Sequence, residues 1–215
     1  MTGPIISEPT TRAESKRITI DPITRLEGHG KIEIFLNDEG NVAQAYWQVP
    51  ELRGFEKFCI GRSVDELNKI TARLCGVCPG AHHLCSTKAL DKVFKAEPPP
   101  AGRKLRELFY AAHYVHSHIA HFYALAAADF VLGPMAPAEK RNILGVVDAV
   151  GINIGAEVIK HRSWAQKVQE MMGGKATHPV CGIPGGMAKP LPEDDRKKVE
   201  EWAKSTVEFS KFTAQ

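Results

Sequence analysis

The chain has 215 residues, of which 43 % are hydrophobic and 25 % charged, with a formal net charge of +3. That is an ordinary globular composition with enough length for one ample core or two small ones, and so mild a charge without a basic run gives no footing for nucleic-acid binding. Five cysteines without regular spacing make no disulfide framework and suit a reducing compartment, and residues 1–16 lack the apolar core of a signal peptide.

In chain order, Met1–Lys16 reads as a loose, flexible arm. Arg17–Asp21 reads as a short strand stopped by Pro22, and the loop after it carries Arg25, Glu27 and His29. Lys31–Leu36 alternates as a strand, Asp38–Asn41 is a turn, and Val42–Val49 is the returning strand. Residues 17–50 thus predict a small antiparallel sheet. The remainder of 17–215 predicts helices, so the expected class is mainly α with a small N-terminal β-sheet. Arg53-Gly-Phe-Glu56 leads into a helix to about Gly61, and Ser63–Leu74 opens with Ser63 and Glu66 at the spacing of a capping box.

After a break at Pro98-Pro-Pro100, Arg103–Val131 predicts one long helix. Its stripe runs through Leu105, Leu108, Phe109, Ala112, Val115, Ile119, Phe122, Ala126 and Phe130. The most apolar stretch, Ile119–Met135, contains Asp129 and Gly133-Pro134, which suits a buried helix end rather than a membrane span. Ala138–Val150 and Gly155–Met172 read as two more helices, Gly173–Met187 as a Gly/Pro-rich loop, and Glu193–Thr213 as a last helix. No Gly or Asn stops that helix, so the protein is expected to continue past Gln215.

The chemistry concentrates in Arg73-Leu-Cys-Gly-Val-Cys-Pro-Gly-Ala-His82. Pro79 at a first helical position puts Cys78 at a helix N-terminus, where unpaired N–H groups and the dipole favour a thiolate. Arg73 adds a cation. From the spacing alone three readings stay open: a redox dithiol, half of a structural zinc site, or half of a catalytic metal site. Cys59, Cys85 and Cys181 read as small core residues. His116, His118 and His121 cannot share one helix face and read as packed imidazoles with their hydrogen bonds satisfied, not as a metal site.

The cysteine string follows Asp21-Pro-Ile-Thr-Arg-Leu-Glu-Gly-His29 and Arg53-Gly-Phe-Glu56, and precedes His116-Ser-His-Ile-Ala-His-Phe-Tyr123 and His178-Pro-Val-Cys-Gly-Ile-Pro-Gly-Gly186. Together these five blocks, in this order, resemble the large, catalytic subunit of nickel–iron hydrogenases, from about Arg17 to the C-terminus. The resemblance implies that Cys75 is a terminal nickel ligand and that Cys78 bridges nickel to an iron carrying carbon monoxide and cyanide. It implies that Glu27 passes protons away from the metals and that Glu56 is a buried carboxylate binding magnesium. His82 would hydrogen-bond near the bridging sulfur without being a ligand.

The whole enzyme would oxidise dihydrogen reversibly and pass electrons to an iron–sulfur small subunit, with further electron-transfer subunits as additional partners. The family's second cysteine pair is absent from this sequence, so the 215 residues alone are expected to be inactive. The lack of a targeting or anchoring segment points to the cytoplasmic branches of the family. Two rivals from other classes are a structural, complex I-like subunit of a redox assembly and a thiol–disulfide oxidoreductase.

Overall fold

The computed structural model describes residues 16–51 and 54–215, which form parts of two compact units, residues 1–53 and 54–215. Nearly all of the expected N-terminal arm lies outside the described residues.

In the first unit, β1 (Arg17–Ile20), β2 (Lys31–Leu36) and β3 (Val42–Gln48) form an antiparallel sheet in the order β1-β2-β3. The register pairs Ile18 with Ile34 and Ile32 with Trp47, so β-branched and aromatic side chains meet across strands on the pleat. The β1–β2 loop folds back on the sheet at Gly30. A Cβ there would lie 3.1–3.2 Å from Ile23, Leu26 and Trp47, so only glycine fits without displacing them. The same loop is tied at its end by His29, whose backbone N–H and Nδ1 lie 2.5 and 2.7 Å from Glu51 Oε1.

The second unit is helical. Its elements are α1 (Phe55–Phe58), α2 (Leu67–Ile70), α3 (Pro79–Val93), α4 (Pro100–Ala120), α5 (Ala127–Val131), α6 (Ile143–Val150), α7 (Ile152–Gly173) and α8 (Glu193–Thr213). A two-stranded hairpin, β4 (Gly182–Ile183) with β5 (Gly186–Met187), interrupts the expected 173–187 loop. The main core gathers Leu84 of α3, Phe109 and Ala112 of α4, Val168 and Met172 of α7, Cys181, and Val199 of α8. Trp164 and Trp202 stack at 5.8 Å to join α7 to α8.

Three expectations need correction. The Ser63–Leu74 segment is not one capped helix: 3₁₀ turns at Val64–Glu66 and Thr71–Leu74 flank a single α-turn. Ser63 Oγ turns to the Asp65 carboxylate instead of capping a backbone N–H, so the capping box does not form. The long helix is not continuous either, because His121–Ala126 is a π-turn between α4 and α5. A wider turn delays the helical phase. Ala127 and Ala128 therefore face a second small core with Val146, and Phe130 is left 76 % exposed. Of the three isolated cysteines only Cys181 is buried, and Cys85 is exposed.

Candidate metal centre

The helical turn Thr71–Leu74 ends where Cys75 takes an extended backbone, φ −141° and ψ 134°. Three residues later Cys78 is the N-cap of α3, with Pro79 at the first helical position. This change of direction folds the chain back on itself, bringing the two cysteine Cα atoms to 5.4 Å. The Cys78 backbone N–H donates to Cys75 Sγ at 3.0 Å. The structure closes the two sulfurs on each other as a disulfide. Reduced, the same turn offers two thiolates to one side.

His82, one helical turn into α3, brings a ring nitrogen to the pair, and the three donor atoms lie within 4.8 Å of one another. Among the described residues this is the one such cluster of His, Cys, Asp and Glu donors. Soft sulfur donors with an imidazole beside them suit nickel, iron or zinc and not a hard cation such as magnesium. The donor set is therefore compatible with a nickel–iron centre, but it is too small to complete one. The rim is open and apolar, with Leu74 and Val77 exposed. A Cβ at Gly76 would meet nothing within 4 Å, so no packing inside this unit demands that glycine.

The turn is carried on a buried polar scaffold that the sequence did not reveal. His83 is fully buried. Its Nδ1–H donates to the Asn68 carbonyl at 2.9 Å, and its Nε2 accepts the backbone N–H groups of Cys181 and Gly182 at 3.0 and 2.9 Å. A nitrogen that accepts twice has no room for a proton, so this imidazole is neutral. Burial pushes its proton affinity down in agreement. Asn68 Nδ2 donates in turn to the Gly182 carbonyl at 2.9 Å. The hairpin is thus bolted to the helix that begins at Cys78. Polar residues at i, i+4 spacing on α3 (His83, Thr87, Asp91) were the available signal.

Other expected residues fall as follows. Glu27 is exposed in the β1–β2 loop of the first unit. Glu56 stands in the first turn of α1 and is exposed, not buried as the family resemblance implied. No described residue of its unit folds over it, and Arg53, one of its conceivable ion-pair partners, lies outside the described residues. Arg73 is exposed, and its charge acts on His178, whose proton affinity is lowered by burial first and then by Arg73 and Lys175. His118 is exposed and its Nδ1 lies 2.8 Å from the Tyr114 carbonyl. His116 is buried, but its Nδ1 has no partner, against the expectation of satisfied imidazoles. No helix among the described residues is long and apolar enough to cross a membrane.

Comparison with known proteins gives a consistent picture. Residues 53–140 match the nickel-dependent hydrogenase family model, and residues 17–52 match a HoxL-like model. The chain is 49 % identical over 200 residues to an iron-sulfur subunit of the F420-non-reducing hydrogenase of Archaeoglobus profundus, covering 93 % of this chain and 41 % of that protein. It is 46 % identical over 195 residues to a vhu subunit of the F420-non-reducing hydrogenase of Methanocaldococcus jannaschii, covering 91 % of this chain and 46 % of that one. Among solved structures, an NAD+-reducing [NiFe]-hydrogenase in the H2-reduced state superposes with a TM-score of 0.75 at 36 % identity. That match covers 92 % of this chain and 45 % of the other. The chain therefore spans a little under half the length of the relatives it matches.

Proposed function

This chain belongs to the nickel–iron hydrogenase large-subunit family, and from that premise we propose that it supplies two of the thiolates of a nickel–iron centre in a hydrogenase. The observation that carries the proposal is the Cys75–Cys78 turn with His82 beside it. Cys75, on extended backbone, would hold nickel from one side. Cys78, the N-cap of α3, would supply the second sulfur of the pair, at the positive end of the helix dipole, which favours its thiolate form. When bound, such a centre supplies the reversible splitting of dihydrogen into two protons and two electrons, its iron carrying carbon monoxide and cyanide.

The chain's own groups have distinct tasks. His82 orients the Cys78 sulfur through a ring N–H and stays outside the ligand set. Glu27 is assigned as a proton-accepting carboxylate, since splitting dihydrogen leaves a proton that a nearby base must remove. Glu56 offers a hard oxygen to magnesium, the donor type that ion requires. The remaining thiolates would come from polypeptide outside these 215 residues. The electrons would leave to an iron–sulfur small subunit, then to further electron-transfer subunits. Its five cysteines, only two of them clustered, leave this chain unable to hold an iron–sulfur cluster of its own. A helical turn, not a strand, precedes Cys75, which disfavours a thioredoxin-like dithiol.

The test is metal analysis. The isolated 215-residue chain should hold no stoichiometric nickel. Co-expression with the C-terminal half of the Archaeoglobus profundus relative, together with that enzyme's maturation apparatus, should yield nickel and iron in equal amounts and hydrogen uptake. Cys75→Ser should abolish both. Tight nickel on the lone chain, or metal loading that survives Cys75→Ser, would refute the assignment.

A further inference from the structure

Two imidazoles of α4 and one amide of α7 converge directly beneath the first turn of α3. His113, His116 and Gln169 are 5 %, 3 % and 1 % exposed. Gly80, two residues after Cys78, is their roof. A Cβ placed on it would lie 2.5 Å from Gln169 Nε2 and 3.3 Å from His113 Nδ1. Both distances are to one point, so the two nitrogens are near enough to each other for one water, reaching roughly 2.9 Å to each side, to join them. Gln169 also lies within side-chain hydrogen-bonding reach of His116, a contact that raises its proton affinity against the burial that lowers it.

None of the three has a protein partner at the facing atom. His113 Nδ1, His116 Nδ1 and Gln169 Nε2 are all buried without a hydrogen bond. A bare group of this kind has given up its bonds to water and gained none, and protein interiors rarely leave three together unless ordered water joins them. The rings cannot swing elsewhere. His113 stacks on Tyr110 at 5.8 Å and 7°, and meets His116 edge-on at 4.9 Å. Burial lowers the proton affinity of both, that of His116 to about 4. Each ring is therefore neutral near pH 7, with one nitrogen free to accept.

We propose that His113, His116 and Gln169 bind one internal water beneath Gly80, and that this water positions the turn carrying Cys78. The donor count closes. The Gln169 amide donates one N–H to the water oxygen, and the water's two hydrogens go to His113 Nδ1 and His116 Nδ1. Both imidazoles are thereby fixed as Nε2–H tautomers. The water keeps the Gln169 amide pressed into the notch that glycine leaves open. Without it, a bare N–H turns away, and the support under the first turn of α3 is lost. The three side chains are positioning residues acting through α3, and their role does not depend on which metal the cysteines take.

A crystal structure of the reduced chain at a resolution that shows ordered water tests the site directly. One density peak is expected within roughly 2.7–3.2 Å of all three nitrogens. Nitrogen-15 NMR of the histidines should find both rings protonated at Nε2 with Nδ1 as acceptor. An empty space, Nδ1–H tautomers, or a direct bond from the Gln169 amide N–H to either Nδ1 would overturn the water site. Positioning is tested with Gln169→Met, which keeps the volume and removes the amide. Co2+ affinity at the Cys75–Cys78 turn should fall about tenfold with the circular dichroism spectrum retained. Unchanged affinity would overturn the positioning role. Should Gln169→Met not fold, the density and tautomer measurements on the unaltered chain still decide.

Discussion

Arg106 grips Asp91 with both arms of its guanidinium: Nη1 lies 2.5 Å and Nη2 3.1 Å from the two carboxylate oxygens, with both side chains about nine-tenths buried. The same guanidinium donates to the carbonyls of Ile183 and Gly186, and the Gly185 N–H returns a bond of 2.8 Å to Asp91. The Arg106 bond chiefly, with the Gly185 N–H behind it, holds the Asp91 carboxyl below the usual carboxylate range. This ion pair is the second bolt of the β4–β5 hairpin. Breaking it from one side leaves a buried charge uncompensated, which costs about 3–5 kcal/mol. Asp91→Ala should therefore lower stability by that order in urea melts. Arg106→Lys should be nearly as damaging, because a point charge cannot serve two carboxylate oxygens and two carbonyls at once. A loss below about 1 kcal/mol in either variant would mean the pair is solvated.

Stability should fall on acidification through the histidines. His83, His113 and His116 all resist protonation because they are buried, His116 down to about 4. An unfolded imidazole titrates near 6.5. As pH drops below that value the unfolded chain takes up protons that the folded chain refuses, so stability declines between about 6.5 and 4 and is level above. His116 alone contributes at most roughly 3 kcal/mol to that decline. Urea midpoints at pH 7.5 and pH 4.5 measure it, and His116→Gln should flatten the difference. Equal midpoints in the unaltered chain would contradict the buried, neutral rings.

Two glycines should answer differently to the same substitution. A Cβ on Gly182 would sit 2.5 Å from Thr87 Oγ1 and 2.7 Å from its Cγ2, inside a buried contact. Gly182→Ala should cost about 1–3 kcal/mol as an overpacked site. Gly76 faces open space, so Gly76→Ala should change stability by less than about 0.5 kcal/mol. If the latter nevertheless blocks metal loading of the assembled enzyme, the requirement lies with the metal and not with the fold. Thermal melts of both variants decide the first point.

Thiol counting should separate the cysteines. Of the five, Cys75 and Cys78 pair, and Cys59, Cys85 and Cys181 are free. Burial pushes the Cys181 thiol up to about 12, so it stays protonated and slow. The native oxidised chain should show two reactive thiols by mass after alkylation, rising to three on denaturation and five on reduction. The oxidised pair should bind no Co2+, and reduction should restore binding, since only thiolates are ligands. Co2+ binding that ignores the redox state would remove the cysteines from the site.

The strands and the last helix were legible because local chemistry dictates them. Alternation marks Lys31–Leu36, Pro79 marks the start of α3 and Glu193–Thr213 is α8, whereas α4 starts at Pro100 rather than Arg103 and α6 at Ile143 rather than Ala138. The cysteine turn was legible for the same reason, being a motif within a few residues. What stayed hidden was set at long range. Asp91, Arg106 and His83 carry no local motif, and the hairpin that covers them lies some ninety residues further on. The π-turn at His121–Ala126 has no composition of its own, so the phase slip that turns Phe130 outward could not be read from a stripe. Glu27 and Glu56 sit in plain motifs, yet a motif says nothing of what covers a carboxylate.

The two hydrogen bonds that His83 Nε2 accepts come from backbone N–H groups lying 98 and 99 residues further along. During synthesis, then, α3 leaves the ribosome with its central imidazole facing solvent, and it must wait for the hairpin to arrive. Any factor that delivers a metal to Cys75 and Cys78 before residue 182 has emerged would meet an unfinished cradle.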